Sequence, residues 1–183
     1  MKIAFIGAHG TGKSTLCNEI NDKYDLQIVE SVSRICQQAS NGMGLNLKDE
    51  EDCKKYQYLT TTLAFWDYKR IVDWEMDCVL ARTPIDVVAY ELASNPTEER
   101  VQELMNNLKS LDFSDCVFFY IPIEFDLVDD GVRPMDKEYQ RMIDKNMRDI
   151  AKQLGLKVHP IFGSVEERME QIDAVMDDVE ADD

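Results

Sequence analysis

Short apolar runs alternate with longer stretches of helical periodicity along the chain. The runs fall at residues 2–6, 26–29, 78–81, 117–121 and 157–162, and each has the length of a strand. Between them, apolar positions recur every three or four residues. Because strands that alternate with helices are typical of parallel sheets covered on both faces, the pattern predicts an α/β fold with a five-stranded parallel sheet.

The helical stretches are expected to turn their apolar stripes towards this sheet. Leu59, Leu63 and Trp66 form one such stripe. Pro84 is expected to open a helix, since proline is tolerated at the first helical position, and Gly155 is expected to cap one. The helical stretches lie at residues 15–20, 34–39, 48–73, from 84 onwards, and at 101–111, 139–154 and 165–179.

The loop between the first strand and the first helix carries a specific motif. Residues 7–14 read GAHGTGKS, which fits G-x-x-x-x-G-K-[ST], the phosphate-binding P-loop, in its required strand–loop–helix context. Glycines let successive N–H groups point at phosphate oxygens, and the helix N-terminus adds partial positive charge. We expect Lys13 to reach the β- and γ-phosphates and the Ser14 hydroxyl to ligate Mg²⁺. The expected nucleotide-binding residues of the loop are His9, Gly10, Thr11, Gly12, Lys13, Ser14 and Thr15, although His9 occupies an unrestricted position and can simply fill the loop.

Composition narrows the classes of function. The 183 residues, 44% of them hydrophobic, predict one folded domain over residues 1–183. The net charge of −16, with acidic clusters at 49–52, 129–130 and a solvated tail at 177–183, argues against nucleic-acid binding.

No apolar run is long enough to span a membrane, and no signal-peptide pattern opens the chain. Five scattered cysteines without a C-x-x-C pair favour a reduced, cytoplasmic protein without a zinc site.

Charged side chains follow the second and third predicted strands, at the sheet edge where ligands of parallel sheets bind. Glu30 can act as a general base, hold Mg²⁺ through water, or merely complement a helix dipole. Arg34 can contact an acceptor phosphate or be an ordinary surface arginine. Arg82 ends a buried strand, where a phosphate suits its guanidinium. Asp86 can contact the substrate or brace Arg82 in a purely structural pair.

An acid at the end of an apolar strand, as in a Walker B motif, is missing, since Ala81 and Arg82 occupy that place. A motor ATPase or a GTPase would need that acid, and a GTPase would also carry an Asn/Thr-Lys-x-Asp motif, which the sequence lacks. Both classes are therefore disfavoured. Ser14 would then be the protein ligand of the metal, and Glu30 or Asp86 would contact it through water.

A segment rich in glycine, proline and charge follows the fourth strand and predicts a helical lid at about residues 125–148. Such a lid can bring Arg133 to the transferring phosphoryl group and exclude water, with Arg141 assisting. Alternatively, Arg133 pairs with its acidic neighbours in an exposed salt bridge. Arg148 is expected on a solvated face.

Over most of its length the chain resembles the small P-loop nucleoside and nucleotide kinases, a group that includes deoxynucleoside kinases, thymidylate kinases and NadR-type nicotinamide riboside kinases. It is especially similar to the AAA-type deoxynucleoside monophosphate kinase-like proteins of phages. The resemblance implies a three-layer P-loop NTPase sandwich with a helical lid, and ATP and Mg²⁺ as cofactors.

The resemblance also implies roles for individual residues. Glu30 matches an acid that follows the second strand, and Arg82 matches the arginine of an acid–Arg motif. Gln57 falls where deoxynucleoside kinases place a base-reading glutamine, although a core or surface role is equally open. Gly163 and Ser164 would lie near the adenine of ATP. The chain departs from the family pattern at Ala81, which replaces the acid, and at Ser31, which replaces the proline usual in deoxynucleoside kinases.

We therefore expect a phosphotransferase that converts a deoxynucleoside monophosphate to its diphosphate, with Lys13, Glu30, Arg82 and Arg133 as catalytic residues. Arg34, Gln57, Asp86 and Arg141 are expected to join Glu30 and Arg82 in binding the substrate. The alternatives are a nucleoside or nicotinamide riboside kinase with Glu30 as general base, a kinase that modifies a nucleobase substituent in DNA, and a P-loop ATP-binding protein without an acceptor. The expected partner is a small molecule, not nucleic acid or a membrane, and a homodimer is left open.

Overall fold

The computed structural model describes residues 1–47, 49–125 and 136–182. Within these ranges the chain forms five strands and seven helices. The strands are β1 (Lys2–Ile6), β2 (Gln27–Val29), β3 (Cys78–Leu80), β4 (Cys116–Tyr120) and β5 (Val158–Pro160). The helices are α1 (Lys13–Tyr24), α2 (Val32–Gly42), α3 (Glu50–Asp73), α4 (Pro84–Leu92), α5 (Glu98–Lys109), α6 (Lys137–Gln153) and α7 (Val165–Asp182).

The strands form one parallel sheet in the order β2-β3-β1-β4-β5. The first strand of the chain is therefore the central one, and Lys2 is level with Cys78 on one neighbour and with Cys116 on the other. The predicted five-stranded parallel α/β fold is confirmed. Because β1 lies in the middle, the loop that follows it has the ends of two neighbouring strands beside it.

Both faces of the sheet are buried, which accounts for the nearly continuous apolar sequence of β1. Ile3 and Phe5 point into a core shared with α1 and α7, whereas Ala4 and Ile6 point into a second core shared with α3, α4, α5 and α6. The molecule is thus a three-layer sandwich. No helix in the described ranges is both long and apolar enough to cross a membrane.

Local sequence signals explain where several helices begin and end. Thr83 and Asp86 form a capping box at the start of α4, with Pro84 at its first position. Asp49 caps α3 by accepting the N–H groups of Glu51 and Asp52. Gly155, with φ of +68°, follows the end of α6. The expected roles of Pro84 and Gly155 are confirmed.

The prediction that Trp66 belongs to the buried apolar stripe of α3 is wrong, because its side chain is 65% exposed. Thr60 and Thr61 take its place on the buried face of the helix, beside Ala64 and Tyr68. Their hydroxyls are satisfied, because Thr60 donates to the Tyr56 carbonyl and Thr61 to the Glu91 carboxylate. Hydrogen-bonded threonines can thus occupy core positions that a hydrophobicity pattern reads as polar.

The acidic C-terminal segment is helical rather than a separate tail. Helix α7 continues to Asp182, while Asp177 and Asp178 are exposed on it. Ile172 and Met176 bury the opposite face against the sheet, so the helix extends past the point where the charges accumulate.

Candidate active site

The P-loop follows the central strand and contacts the end of β4. A Cβ atom on Gly7 (φ +151°) would lie 2.5 Å from the Ile121 carbonyl oxygen, so only glycine fits at this position. Gly12 (φ +94°) is the N-cap residue of α1, where a left-handed conformation turns the chain into the helix. The loop thus places successive backbone N–H groups at a helix N-terminus, the arrangement that binds phosphate.

Lys13 lies buried against the same loop. Its ammonium group donates to the carbonyl oxygen of Gly7 and, at 2.6 Å, to that of Ala8. The Ala8 carbonyl also accepts from the Thr11 hydroxyl at 3.0 Å. The loop carbonyls therefore hold a positive charge at the centre of the anion-binding turn.

A cavity of about 400 Å³ extends from the P-loop to the carboxyl ends of β2 and β3. It is lined at one end by Ser14 and its neighbours and at the other by Glu30, Arg34 and Arg82. The Glu30 carboxylate and the Arg34 guanidinium are both exposed and lie 3.9 Å apart. Three of the charged residues predicted at the strand ends, Glu30, Arg34 and Arg82, thus line one cleft with the P-loop, whereas Asp86 does not.

Arg82 and Asp86 form a buried pair at this cleft. Arg82 Nη1 lies 3.3 Å from Asp86 Oδ1, and the guanidinium lies over the ring of Tyr90. Asp86 is fully buried, and its other oxygen accepts from the Thr83 N–H at 2.9 Å. Burial raises the pKa of the Asp86 carboxyl, whereas Arg82 and Lys13 favour its charged form. Asp86 therefore braces Arg82 and caps α4 from an enclosed position.

His9 fills the space between the P-loop, α4 and α6. It is buried, with Nδ1 3.0 Å from the Tyr90 hydroxyl, and its ring packs against Tyr90 and Tyr139. Gln140 Nε2 donates to the His9 carbonyl oxygen at 2.8 Å. The His9 side chain thus ties the loop to two helices.

Gly163 and Ser164 are joined to the P-loop through α7. Arg168 Nη1 donates to the Thr11 carbonyl and Nη2 donates to Glu124, both at 2.8 Å. Glu124 in turn accepts from the Gly163 N–H at 3.0 Å. This network places the loop after β5 beside the phosphate-binding loop.

Six of the predicted residues in the described ranges do not line the cavity: His9, Gln57, Asp86, Arg141, Gly163 and Ser164. Gln57 Nε2 donates to the Ser94 hydroxyl at 2.6 Å, which joins α3 to the end of α4. Arg141 is exposed on α6. Arg133 and residues 126–135 around it lie outside the described residues.

Sequence reasoning missed the roles of Gln140, Arg168 and Glu124. For Gln140 and Arg168, the pattern of apolar positions in the sequence contains a signal. Gln140 precedes Ile143 and Met147 on the buried stripe of α6, and Arg168 interrupts the stripe of α7. A polar side chain at a core position must find a partner, and here the partners are P-loop carbonyls.

The donor set of the cleft fits Mg²⁺ better than a softer metal. In the part of the chain that the structure describes, no group of three or more His, Cys, Asp or Glu side chains could hold a metal ion. Magnesium uses few protein ligands and relies on water and substrate phosphates. The Ser14 hydroxyl and the Glu30 carboxylate, both hard oxygen donors lining the cavity, match that requirement.

Comparisons with known proteins agree with this geometry. The sequence matches the AAA domain family over residues 2–168. No curated protein matches the sequence. Solved structures with a similar fold include a deoxyadenosine kinase from M. mycoides with the products dCMP and dCDP (19% identity, TM-score 0.65, covering 99% of this chain and 100% of that one).

Two thymidylate kinases also share the fold. The one from Ehrlichia chaffeensis is 16% identical, with a TM-score of 0.64 over 96% of this chain and 98% of its own. The one from Candida albicans is 14% identical, with a TM-score of 0.66 over 98% and 92%. The resemblance to the fold of small P-loop kinases is therefore confirmed. Because the family match spans nearly the whole chain and includes the phosphate-binding loop, the protein belongs to the AAA domain family of P-loop proteins.

Proposed function

We propose that the protein is an ATP·Mg²⁺-dependent phosphotransferase whose acceptor is a deoxynucleoside monophosphate. The observation that carries the proposal is the single cleft lined by the P-loop at one end and by Glu30, Arg34 and Arg82 at the other. A protein that only bound a nucleotide would need the first end alone. A cleft with both ends can hold a donor phosphate and an acceptor within reach of one another.

The donor end supplies charge stabilisation. The loop N–H groups and Lys13 would hold the β- and γ-phosphates, with the Ser14 hydroxyl on Mg²⁺, and Gly163 and Ser164 would lie near the adenine. Bound Mg²⁺ would neutralise charge on the phosphate oxygens. Phosphoryl transfer depends mainly on positioning and electrostatics, so a buried ammonium within the loop is well placed to assist it.

The acceptor end carries two arginines. Arg82 is held by Asp86 and Arg34 is exposed in the cleft, so their guanidinium groups can receive an acceptor phosphate. The kinases that share the fold include one named for a nucleoside and two named for a nucleotide, and thus support both acceptor classes. Gln57, Arg133 and Arg141 stay predictions for acceptor binding and charge stabilisation.

The test is phosphoryl transfer from labelled ATP·Mg²⁺ to a panel of nucleosides, nucleoside monophosphates and nicotinamide riboside, with Lys13→Met as the blank. We expect a labelled deoxynucleoside diphosphate. A labelled monophosphate would replace the proposed acceptor by a nucleoside. Rapid ATP hydrolysis that no acceptor changes would contradict the kinase function itself.

Glu30→Gln separates the two acceptor classes. An acceptor phosphate needs no general base, so we expect kcat to fall by less than about tenfold. A hydroxyl acceptor would lose about 10²- to 10⁴-fold. Glu51→Gln, an exposed acid on α3, is the matched control and should leave kcat unchanged. A loss above a hundredfold at Glu30 alone would overturn the monophosphate assignment.

A further inference from the structure

The carbonyl groups of the P-loop are held from outside by side chains of two different helices. Gln140 on α6 donates to the His9 carbonyl and Arg168 on α7 donates to the Thr11 carbonyl, each at 2.8 Å. Both side chains are buried, with 4% and 3% of their surface exposed. The two bonded carbonyls stand on either side of Gly10.

Each of these bonds also sets the direction of an N–H group. The peptide bonds of the loop are trans, and in a trans peptide the C=O and the N–H point in opposite directions. A donor on the His9 carbonyl therefore orients the N–H of Gly10, and a donor on the Thr11 carbonyl orients the N–H of Gly12. Because glycine has wide conformational freedom, these two peptide units would otherwise reorient easily.

Arg168 is itself held firmly in place. Its second nitrogen donates to Glu124 at 2.8 Å, and its guanidinium lies 5.7 Å from the centre of the Phe125 ring. A Cβ on Gly12 would lie 3.3 Å from Arg168 Nη1, so the guanidinium packs closely on the loop. A side chain at this position would require the arginine to shift by a few tenths of an ångström.

We propose that Gln140 and Arg168 are positioning residues that preorganise the Gly10 and Gly12 N–H groups for the donor polyphosphate. The proposal rests on the proposed function in taking the donor to be a nucleoside triphosphate. Dipoles that are already oriented need no reorganisation when the charge arrives, which makes them more effective than freely rotating groups. Neither side chain has to touch the phosphates for this effect.

A purely structural role would make a different prediction, and the chain contains a matched control. Arg100 on α5 forms a comparable partly buried pair with Glu91 on α4, with Nε and Oε1 2.7 Å apart. This pair joins two helices without contacting the P-loop. Arg100→Met should therefore lower the Tm without altering phosphate affinity.

The experiment measures binding of tripolyphosphate and of ATP by calorimetry, together with the Tm and the steady-state constants. For Gln140→Met and Arg168→Met we expect the Kd for tripolyphosphate to rise about tenfold each, the loss typical of a removed buried hydrogen bond. The KM for ATP should rise in parallel and by a larger factor than kcat falls. Arg168→Lys, which keeps a single cationic nitrogen as a donor group, should recover part of the affinity.

Glu124→Gln covers the case in which Arg168→Met does not fold. It loosens Arg168 without removing it, and should raise the Kd about threefold. Wild-type Kd values in the folded Gln140 and Arg168 variants would overturn the proposal. An equal loss of tripolyphosphate affinity in Arg100→Met would also overturn it, as would the absence of tripolyphosphate binding by the wild type. Because this readout needs no acceptor, normal polyphosphate binding without transfer to any acceptor would refute the kinase function and leave the positioning role standing.

Discussion

Replacing Lys13 by methionine should lower kcat/KM for phosphoryl transfer by about a thousandfold or more. The Lys13 ammonium lies buried against the loop carbonyls of Gly7 and Ala8, next to the N–H groups that would bind the donor phosphates. Removal of a preorganised cation from a phosphoryl-transfer site typically costs about 10² to 10⁵ in rate. The methionine keeps most of the apolar length of the side chain, so we expect the fold to persist. Steady-state kinetics and a thermal melt of the same sample measure both effects.

Lys23→Met is the matched control. Lys23 lies on the same helix, α1, but is exposed and pairs with Asp173 on α7. Exposed pairs contribute little, so this variant should keep wild-type transfer and nearly wild-type stability. Retention of more than a tenth of the activity in Lys13→Met would contradict the proposed role of the P-loop lysine.

Asp86→Ala should lower the free energy of unfolding by about 3–5 kcal/mol, the cost typical of breaking a buried ion pair from one side. The substitution leaves the largely buried Arg82 without its carboxylate and removes the capping box at Thr83. In a chain of this size, that loss corresponds to a fall in Tm on the order of 10 °C. Denaturant unfolding followed by circular dichroism measures it.

Two further variants separate the cap from the ion pair. Asp86→Asn keeps an acceptor for the Thr83 N–H but loses the charge opposite Arg82, and should cost about half as much as Asp86→Ala. Asp136 caps α6 from an exposed position, so Asp136→Ala should cost only about 1 kcal/mol. If Asp86→Ala is no worse than Asp136→Ala, Asp86 acts as a helix cap and the brace on Arg82 contributes nothing to stability.

The parts of the molecule that could be predicted are those that depend on interactions between residues close in sequence. The strand runs, the P-loop and the helix start at Pro84 depend on residues adjacent in sequence, and the structure has all three as expected. The meeting of Glu30 and Arg82 at one sheet edge also followed, because the carboxyl ends of parallel strands share an edge.

Partners distant in sequence could not be predicted in this way. Trp66 is exposed, whereas two threonines with hydrogen-bond acceptors lie on the buried face of α3. Gln57 has Ser94 as a partner, 37 positions away, and Arg168 reaches Thr11 across 157 positions. Such pairings depend on how the helices lie on the sheet, and no local pattern contains that information.

The sequence by itself determined the α/β architecture, the phosphate-binding loop and the edge of the sheet where the charged residues would lie, because periodicity, motif spacing and the alternation of strands with helices are properties of the local sequence. Only the tertiary structure decided that Asp86 is enclosed behind Arg82 and that Gln140 and Arg168 hold the loop carbonyls. The physical reason is that a buried polar group must be satisfied, but which partner satisfies it depends on the packing of the whole chain.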